Sequence, residues 1–193
     1  LCTYWYENGQ KRSEANFKDG ELDGLATGWY ENGIKKEESN WKNDKEDGLA
    51  TGWYENGRKK KEGNHKDGKL YGLKITWHKN GQKESEGNWK DGKIEGRVTT
   101  WHENGQKESE GNCKEGKKEG LVTKWYENGQ KEGESKYMDG IQIGLQAQWY
   151  ENGEKSAEVT FKNGLPYNGK KWLPNGEVCP DSSLTNGTGV MVK

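Results

Sequence analysis

The chain of 193 residues is only 27% hydrophobic and 33% charged, with 29 Gly, a composition that approaches that of disordered proteins. Its formal net charge is −1, so no long-range field selects a polyanion, and we expect no nucleic acid partner. Its apolar runs are only a few residues long, too short for a transmembrane helix. The chain begins at Leu1, within a repeat and without Met, so we interpret it as a processed or truncated piece and leave its compartment open.

Eight copies of one pattern organise the chain, each built on a Trp followed by an Asn-Gly pair. Six intervals of 24 residues and a last one of 23 separate the units, and a fixed period of about 20 to 50 residues is typical of stacked repeats. Because an aromatic side chain buries on the order of 150–250 Å², we expect the Trp column to replace the missing aliphatic core. This structural core is Trp5, Trp29, Trp53, Trp77, Trp101, Trp125, Trp149 and Trp172.

The first element of each unit is a predicted β-strand, because residues such as Leu25, Thr27 and Trp29 alternate with a period of two. The strand runs into Asn-Gly, where we expect a two-residue type I′ turn with positive φ at both residues. A return strand follows, spanning residues 34–42 in the second repeat. The turn residues are Asn32, Gly33, Asn56, Gly57, Asn80, Gly81, Asn104, Gly105, Asn128 and Gly129.

On the return strand we expect the face that ends in an aromatic residue, such as Trp41, to point inward. The alternate positions carry a column of Glu that we expect to face water, and its central members form the predicted binding face. A column of Lys, beginning at Lys11, is interpreted as stems lying over Trp rings with Glu partners on the neighbouring strand. The predicted binding face consists of Glu62, Glu86, Glu110 and Glu134.

A second turn joins successive units, at Asp19-Gly20 and its equivalents. In one unit the pair is Asn43-Asp44, so Asp44 itself must adopt the left-handed conformation. A further Gly lies four residues after the turn, as at Gly24, where no turn requires it, and we assign it to a β-bulge or a close backbone approach.

Each repeat is therefore one β-hairpin that buries its aromatic face only against its neighbours. This predicts an all-β fold, an elongated repeat solenoid of antiparallel β-hairpins with about eight 24-residue units. Residues 1–178 are expected to form the array. Residues 179–193 are expected to form an irregular C-terminal cap or the start of a truncated further module.

The pattern Trp-Tyr-Glu-Asn-Gly-x-Lys, then Glu-Gly-Asn-Trp-Lys-Asp-Gly-Lys and a Gly four residues later, resembles the variant MORN repeat (membrane occupation and recognition nexus). Such repeats occur in bacterial proteins known as YwqK-type antitoxins, and the resemblance covers roughly residues 4–178. It implies a protein-binding, antitoxin-like role. For MORN repeats in general it implies scaffolding and, in some cases, contact with membrane lipid.

No unique constellation of reactive residues stands out from the repeats. His78 and His102 replace Tyr, and His65 lies in the aromatic column, so successive units place them about 10 Å apart, too far to share a metal. The carboxylates recur in every unit, with none distinguished by its surroundings. We therefore expect no metal, no cofactor, no catalytic residue and no enzymatic activity.

The residues favour a non-catalytic repeat scaffold that binds a protein partner, or self-assembles through its edge strands, over an extended β surface. One alternative is a carbohydrate- or choline-binding aromatic solenoid, because aromatic cages hold quaternary ammonium by cation–π attraction. The other is peripheral attachment to membrane lipid. The charge does not support membrane contact, since the Glu columns cancel the Lys column.

Overall fold

The computed structural model describes residues 1–180, 182–185 and 187–189, and over this range it consists of β-strands, turns and short irregular connections. The all-β prediction is confirmed. The described residues include no helix that could cross a membrane. The chain divides into two units, residues 1–95 and residues 96–193, and each unit is described by itself.

The first unit is built from consecutive antiparallel strands, each paired with its sequence neighbours from β1 to β8. A strand and its return strand form one hairpin, and the next strand starts the following repeat. The strands are β1 (Cys2–Trp5), β2 (Lys11–Lys18), β3 (Glu21–Trp29), β4 (Lys35–Lys42), β5 (Lys45–Trp53), β6 (Lys59–Lys66), β7 (Lys69–Trp77) and β8 (Lys83–Lys90).

The second unit shows the same pattern of antiparallel neighbours from β9, whose residues 93–95 still belong to the first unit, to β15. In the C-terminal tail two short strands follow, and Leu184 pairs with Gly169 of β15. The strands are β9 (Lys93–Trp101), β10 (Lys107–Lys114), β11 (Lys117–Trp125), β12 (Lys131–Met138), β13 (Ile141–Trp149), β14 (Lys155–Lys162), β15 (Leu165–Lys171), β16 (Leu184–Thr185) and β17 (Thr188–Gly189).

The Asn-Gly turn is not the predicted type I′ turn. Gly33 has a φ of +82°, but the φ of Asn32 is not positive. The Gly33 N–H donates to the Tyr30 carbonyl at 2.9 Å, and the Tyr30 N–H donates to the Ile34 carbonyl at 2.9 Å. This is a three-residue loop, a type I turn closed by a left-handed Gly. The prediction was wrong because only the Gly of this loop needs positive φ.

The type I′ turn lies at the other end of each hairpin. Asp19 and Gly20 have φ values of +52° and +89°, and the flanking residues Lys18 and Glu21 pair directly. The turn without Gly behaves as predicted, because Asp44 has a φ of +61°.

The predicted bulge is confirmed at Gly24, whose φ is +103°. The β2–β3 register shifts opposite it, and a Cβ placed on Gly24 would lie 3.2 Å from the Asn16 Cβ. Each hairpin also contains a second bulge that the sequence analysis did not predict. In β3–β4 it leaves Lys36 without a directly paired residue, because Gly28 pairs with Glu37 and Trp29 with Lys35.

The interior of each unit is thin. Among the described residues the buried hydrophobic side chains are Ala147, 9% exposed, and Ala157, 3% exposed, while the Thr column is buried to a similar degree. The Trp column is half-buried, and terminal Trp5 is 58% exposed. The expected buried aromatic core is therefore replaced by rows of half-buried side chains, since each Trp shares its face with charged neighbours. The buried Thr residues are Thr27, Thr51, Thr99 and Thr123.

Candidate functional site

A row of Tyr side chains ties each repeat to the next. The Tyr30 hydroxyl donates to the Trp53 carbonyl at 2.8 Å, 23 residues further on. In the second unit the Tyr126 hydroxyl donates to the Trp149 carbonyl at 2.7 Å. His102 replaces Tyr in this row, and its Nε2 lies 2.8 Å from the equivalent carbonyl, so it supplies the same contact. The same Tyr bond is made by Tyr6, Tyr54 and Tyr150.

The Asn of each three-residue loop makes two contacts, and neither requires positive φ. Asn32 Oδ1 accepts the Ile34 N–H at 3.0 Å, which caps its own loop. Its Nδ2 donates to the Glu55 carbonyl at 3.1 Å, which holds the loop of the next repeat. Asn is therefore needed here for its side-chain amide. Both contacts recur at Asn8, Asn56, Asn104, Asn128 and Asn152.

The Lys column lies over the Trp column, as the sequence analysis interpreted it. Lys131 Nζ lies 5.2 Å from the centroid of the Trp149 ring in the following repeat, within the range of a cation–π contact. The same ammonium group lies 2.6 Å from a Glu134 carboxylate oxygen. The Glu partner stands three residues further along the same strand, not on the neighbouring strand as expected. Equivalent Lys–Trp contacts are made by Lys11, Lys35, Lys59, Lys107 and Lys155.

The Glu column does not extend freely into water. Its side chains are between 26% and 36% exposed in the four residues of the predicted binding face, and each forms an ion pair with its Lys. Thr51 lies two residues before Trp53 on the same strand, so their side chains point to the same face of the sheet. Glu62 pairs directly with Thr51 on the neighbouring strand and therefore also lies on the Trp face. The expectation of an open acidic face was therefore wrong. The four residues are Glu62, Glu86, Glu110 and Glu134.

Neighbouring cations alter the titration of two members of the Glu column. The pKa of Glu110 is lowered, first by a hydrogen bond from Arg97 and then by one from Lys107. The pKa of Glu14 is lowered mainly by its hydrogen bond from Lys11. These carboxylates therefore stay ionised to lower pH than an isolated Glu, which keeps the Lys column neutralised.

A row of exposed leucines on the Trp face was not recognised from the sequence as a candidate site. Leu25, Leu49 and Leu73 of the first unit are 42–45% exposed, and Leu121 and Leu145 of the second are 55–56% exposed. We call Leu25, Leu49 and Leu73 the leucine row, and Leu121 and Leu145 hold the equivalent positions within the second unit. The sequence pattern that could have revealed this site is the Leu that follows the bulge Gly in most repeats. It was missed because the alternating pattern placed this Leu on the same face as the Trp column. These side chains lie at fixed strand positions and remain open to a partner.

The histidines and carboxylates do not converge on a metal site. His65 Nε2 lies 3.3 Å from a Glu46 carboxylate oxygen, while His65 Nδ1 is buried without a hydrogen-bond partner. Within the described part of the chain, no group of three His, Cys, Asp or Glu side chains is arranged to hold a metal ion.

Each hairpin with its three-residue loop corresponds to one match of a known family model, described as a MORN repeat variant. The matched segments are residues 1–19, 22–43, 46–67, 70–91, 94–114, 118–139 and 142–163. The chain belongs to the MORN repeat variant family. Most matches of this MORN-repeat chain begin just after a type I′ turn, so the family repeat is the hairpin described above. The eighth repeat, around Trp172, lies outside the matched segments. A comparison with curated proteins gave no match.

Proposed function

We propose that this MORN-repeat chain is a non-catalytic scaffold that binds a protein partner across its Trp face. The leucine row is the observation that supports this, because it leaves apolar side chains exposed on regular strands whose neighbouring charges are already paired. Equivalent leucines stand two strands apart, about 9.6 Å at ~4.8 Å per strand. A polyproline II segment has about three residues per turn and ~3.1 Å rise. The proposed partner is therefore an extended polypeptide with an apolar side chain at every third residue.

The contacts of the Lys column favour a protein partner over a choline-like ligand. A quaternary ammonium binds by standing over an aromatic ring. Here the chain's own Lys ammonium groups already stand 5.2–5.9 Å from the Trp ring centroids. The paired Glu carboxylates also neutralise the Lys column, which weakens the argument for anionic lipid as the main partner.

Labelled synthetic peptides provide a direct test of this function. Peptides with Leu at every third position should bind the chain more tightly than peptides of the same composition with Leu at every second or fourth position. Replacing Leu25, Leu49 and Leu73 with Ser should remove the preference. A control replaces Tyr71, which is 58% exposed and lies outside the row, with Ser. Binding that ignores the Leu spacing, or that survives the triple replacement unchanged, would contradict the proposal.

The Glu column supplies a second measurement on the same peptide complex. Exchanging Glu86 alone for Gln should change the affinity little, because equivalent sites remain in other repeats. Exchanging all four residues of the predicted binding face for Gln should change it strongly if the partner covers this face. Gln is preferable to Lys, because a Lys at position 86 would stand beside the ammonium group of Lys83, which now lies 2.6 Å from the Glu86 carboxylate.

A further inference from the structure

Three successive type I′ turns of the first unit are each flanked by two lysines. Lys42 pairs directly with Lys45, and Lys66 pairs directly with Lys69. Like charges directly opposite one another destabilise a sheet, so folding does not account for this arrangement. Within the described part of the chain, none of these lysines forms an ion pair at 4.0 Å or less. We call Lys42, Lys45, Lys66, Lys69, Lys90 and Lys93 the lysine edge.

The three turns of the lysine edge hold six lysines against three carboxylates, those of Asp44, Asp67 and Asp91, so the turns carry an excess of positive charge. Asp44 Oδ1 accepts the Leu22 N–H at 2.7 Å, and Asp47 Oδ2 accepts the Asp67 N–H at 3.3 Å, so both carboxylates bond to the chain's own backbone. Asp67 and Asp91 stand between the lysines of their turns. Lys66, Lys69 and Lys90 line an open cleft of about 270 Å³ between these two turns, together with Asp67, Asp91, Leu70 and exposed Tyr71.

The second unit has an acidic counterpart at its three-residue loops. Each of its three loops carries one Glu at its first position and a second Glu soon after the loop. The second Glu lies three residues after the loop Gly at Glu108 and Glu132, and directly after it at Glu154.

In the first unit the position equivalent to Glu108 and Glu132 holds Arg12, Lys36 and Lys60 in the first three repeats. The fourth repeat has Glu84 there, but its loop begins with Lys79, so loops with two Glu belong to the second unit. We call Glu103, Glu108, Glu127, Glu132, Glu151 and Glu154 the glutamate edge.

The loops of the glutamate edge also form a cleft. A space of about 420 Å³ is lined by Glu127, Glu132 and Glu151, together with Tyr126 and His102. The pKa of Tyr126 is raised, first by burial and then by Glu132 and Glu151, so both carboxylates act on the ring at this position. Lys107 and Lys131 of the same repeats lie over Trp rings and pair with Glu110 and Glu134 of the Glu column.

We propose that the lysine edge of one copy binds the glutamate edge of a second copy of this chain. Both edges present two charged side chains per turn over three successive turns. The turns on each edge recur every two strands, about 9.6 Å, so the two rows of charge match in spacing. The net charge of −1 imposes little repulsion between copies. This contact uses the turns and not the Trp face, so it can fail without affecting the proposed function.

The contact joins two different surfaces, so each bound copy keeps one free edge of each sign. Association of this kind continues past the dimer unless the copies close into a ring. The ion pairs would be exposed, so salt should weaken them. The Debye length falls from about 30 Å at ~0.01 M ionic strength to about 3 Å at ~1 M.

Two charge-reversed variants of the full chain test the proposal by sedimentation velocity. One carries Lys66→Glu, Lys69→Glu and Lys90→Glu, and therefore has two acidic edges. The other carries Glu103→Lys, Glu108→Lys, Glu127→Lys and Glu132→Lys, which leaves four lysines against two glutamates on its glutamate edge, so both of its edges are basic. Each exposed pair contributes modestly, but reversal turns attraction into repulsion, so each variant alone should associate at least about tenfold more weakly than the natural chain. An equimolar mixture should associate again, and high salt should dissociate both the natural chain and the mixture.

A matched control for the first variant carries Lys61→Glu, Lys136→Glu and Lys170→Glu, which makes the same change in net charge at exposed lysines outside both edges. It should associate like the natural chain. The mixture also reports on folding, because renewed association requires both variants to be folded. A natural chain that stays monomeric at low salt would overturn the proposal. So would association that rises with salt, or a mixture that stays dissociated.

Discussion

Removing one phenol hydroxyl tests whether the Tyr row stabilises the stack of repeats. In Tyr126→Phe the ring is retained and the 2.7 Å hydrogen bond to the Trp149 carbonyl is lost. Such a bond contributes about 0.5–1.5 kcal/mol, and desolvation of the unpaired carbonyl adds to the loss, so we expect the free energy of unfolding to fall by about 1–2 kcal/mol. For a chain of this size the Tm should fall by about 2–4 °C for each kcal/mol.

Urea unfolding followed by far-UV circular dichroism and by Trp fluorescence measures this loss. The matched control is Tyr71→Phe, which removes the same atom from a side chain that is 58% exposed. We expect this control to lie within about 0.5 kcal/mol of the natural chain, as is usual for surface substitutions. If both variants lost the same free energy, the hydrogen bonds between repeats would not stabilise the fold, and the reasoning would be refuted.

Three further predictions concern the Trp column, a loop glycine and alkaline pH. Trp125→Ala should cost about 2–3 kcal/mol in urea unfolding, less than the ~3–5 kcal/mol of a fully buried Trp, because the ring is half-buried. Trp5→Ala should cost less than half as much, since Trp5 is 58% exposed, and equal losses would contradict the nearest-neighbour picture. Gly9→Ala should lower stability by about 1–2 kcal/mol through its φ of +84° alone, because nothing lies within 4 Å of the added Cβ; unchanged thermal unfolding would contradict this. Folding raises the pKa of Tyr126, so the neutral phenol contributes to the free energy of unfolding. This contribution is fully present below the unfolded pKa of about 10 and is lost as the pH rises through the folded pKa. As the pH rises above about 10, the unfolding midpoint should therefore fall less steeply in Tyr126→Phe than in the natural chain.

The strands and the repeat family could be predicted because they depend on local alternation and on a fixed period. Alternation at Leu25, Thr27 and Trp29 correctly placed β3, and the Gly at position 24 correctly marked a bulge. Asp44 was correctly assigned the left-handed conformation, since no Gly was present at its turn. The elongation expected from eight units stays a prediction.

The turn types and the Glu face could not be predicted because they depend on contacts between repeats. Asn32 is selected by a carbonyl 23 residues away, whereas turn propensity considers only its own backbone. The unpredicted bulge at Lys36 changes which return-strand residues share the Trp face. As a result Glu38 pairs with buried Thr27 and lies beside the Lys column, although simple alternation placed it in open water.

The contacts between repeats also explain how a chain with 27% hydrophobic residues can hold its fold. Within the first unit the Tyr and Asn rows each reach 23 residues along the chain, and the Lys row reaches from Lys11 to Trp29 in the following repeat. Ala147 and Ala157 are the buried hydrophobic residues in the described part of the second unit. Stability should then be a sum of hairpins and nearest-neighbour contacts.

Deleting whole and partial repeats separates this picture from that of a general hydrophobic core. Deletion of residues 46–69 removes 24 residues and joins Lys45 to Leu70, which occupies the position of Glu46 one repeat later. Every remaining row stays in register, so cooperative unfolding should persist with a modest fall in Tm. Deletion of residues 46–57 removes half as many residues but leaves an unmatched return strand and breaks the Tyr, Asn and Lys rows together. We expect this smaller deletion to be the more damaging one by thermal circular dichroism, because register outweighs the number of residues lost. Equal Tm values for the two deletions would show that the rows do not hold the repeats together.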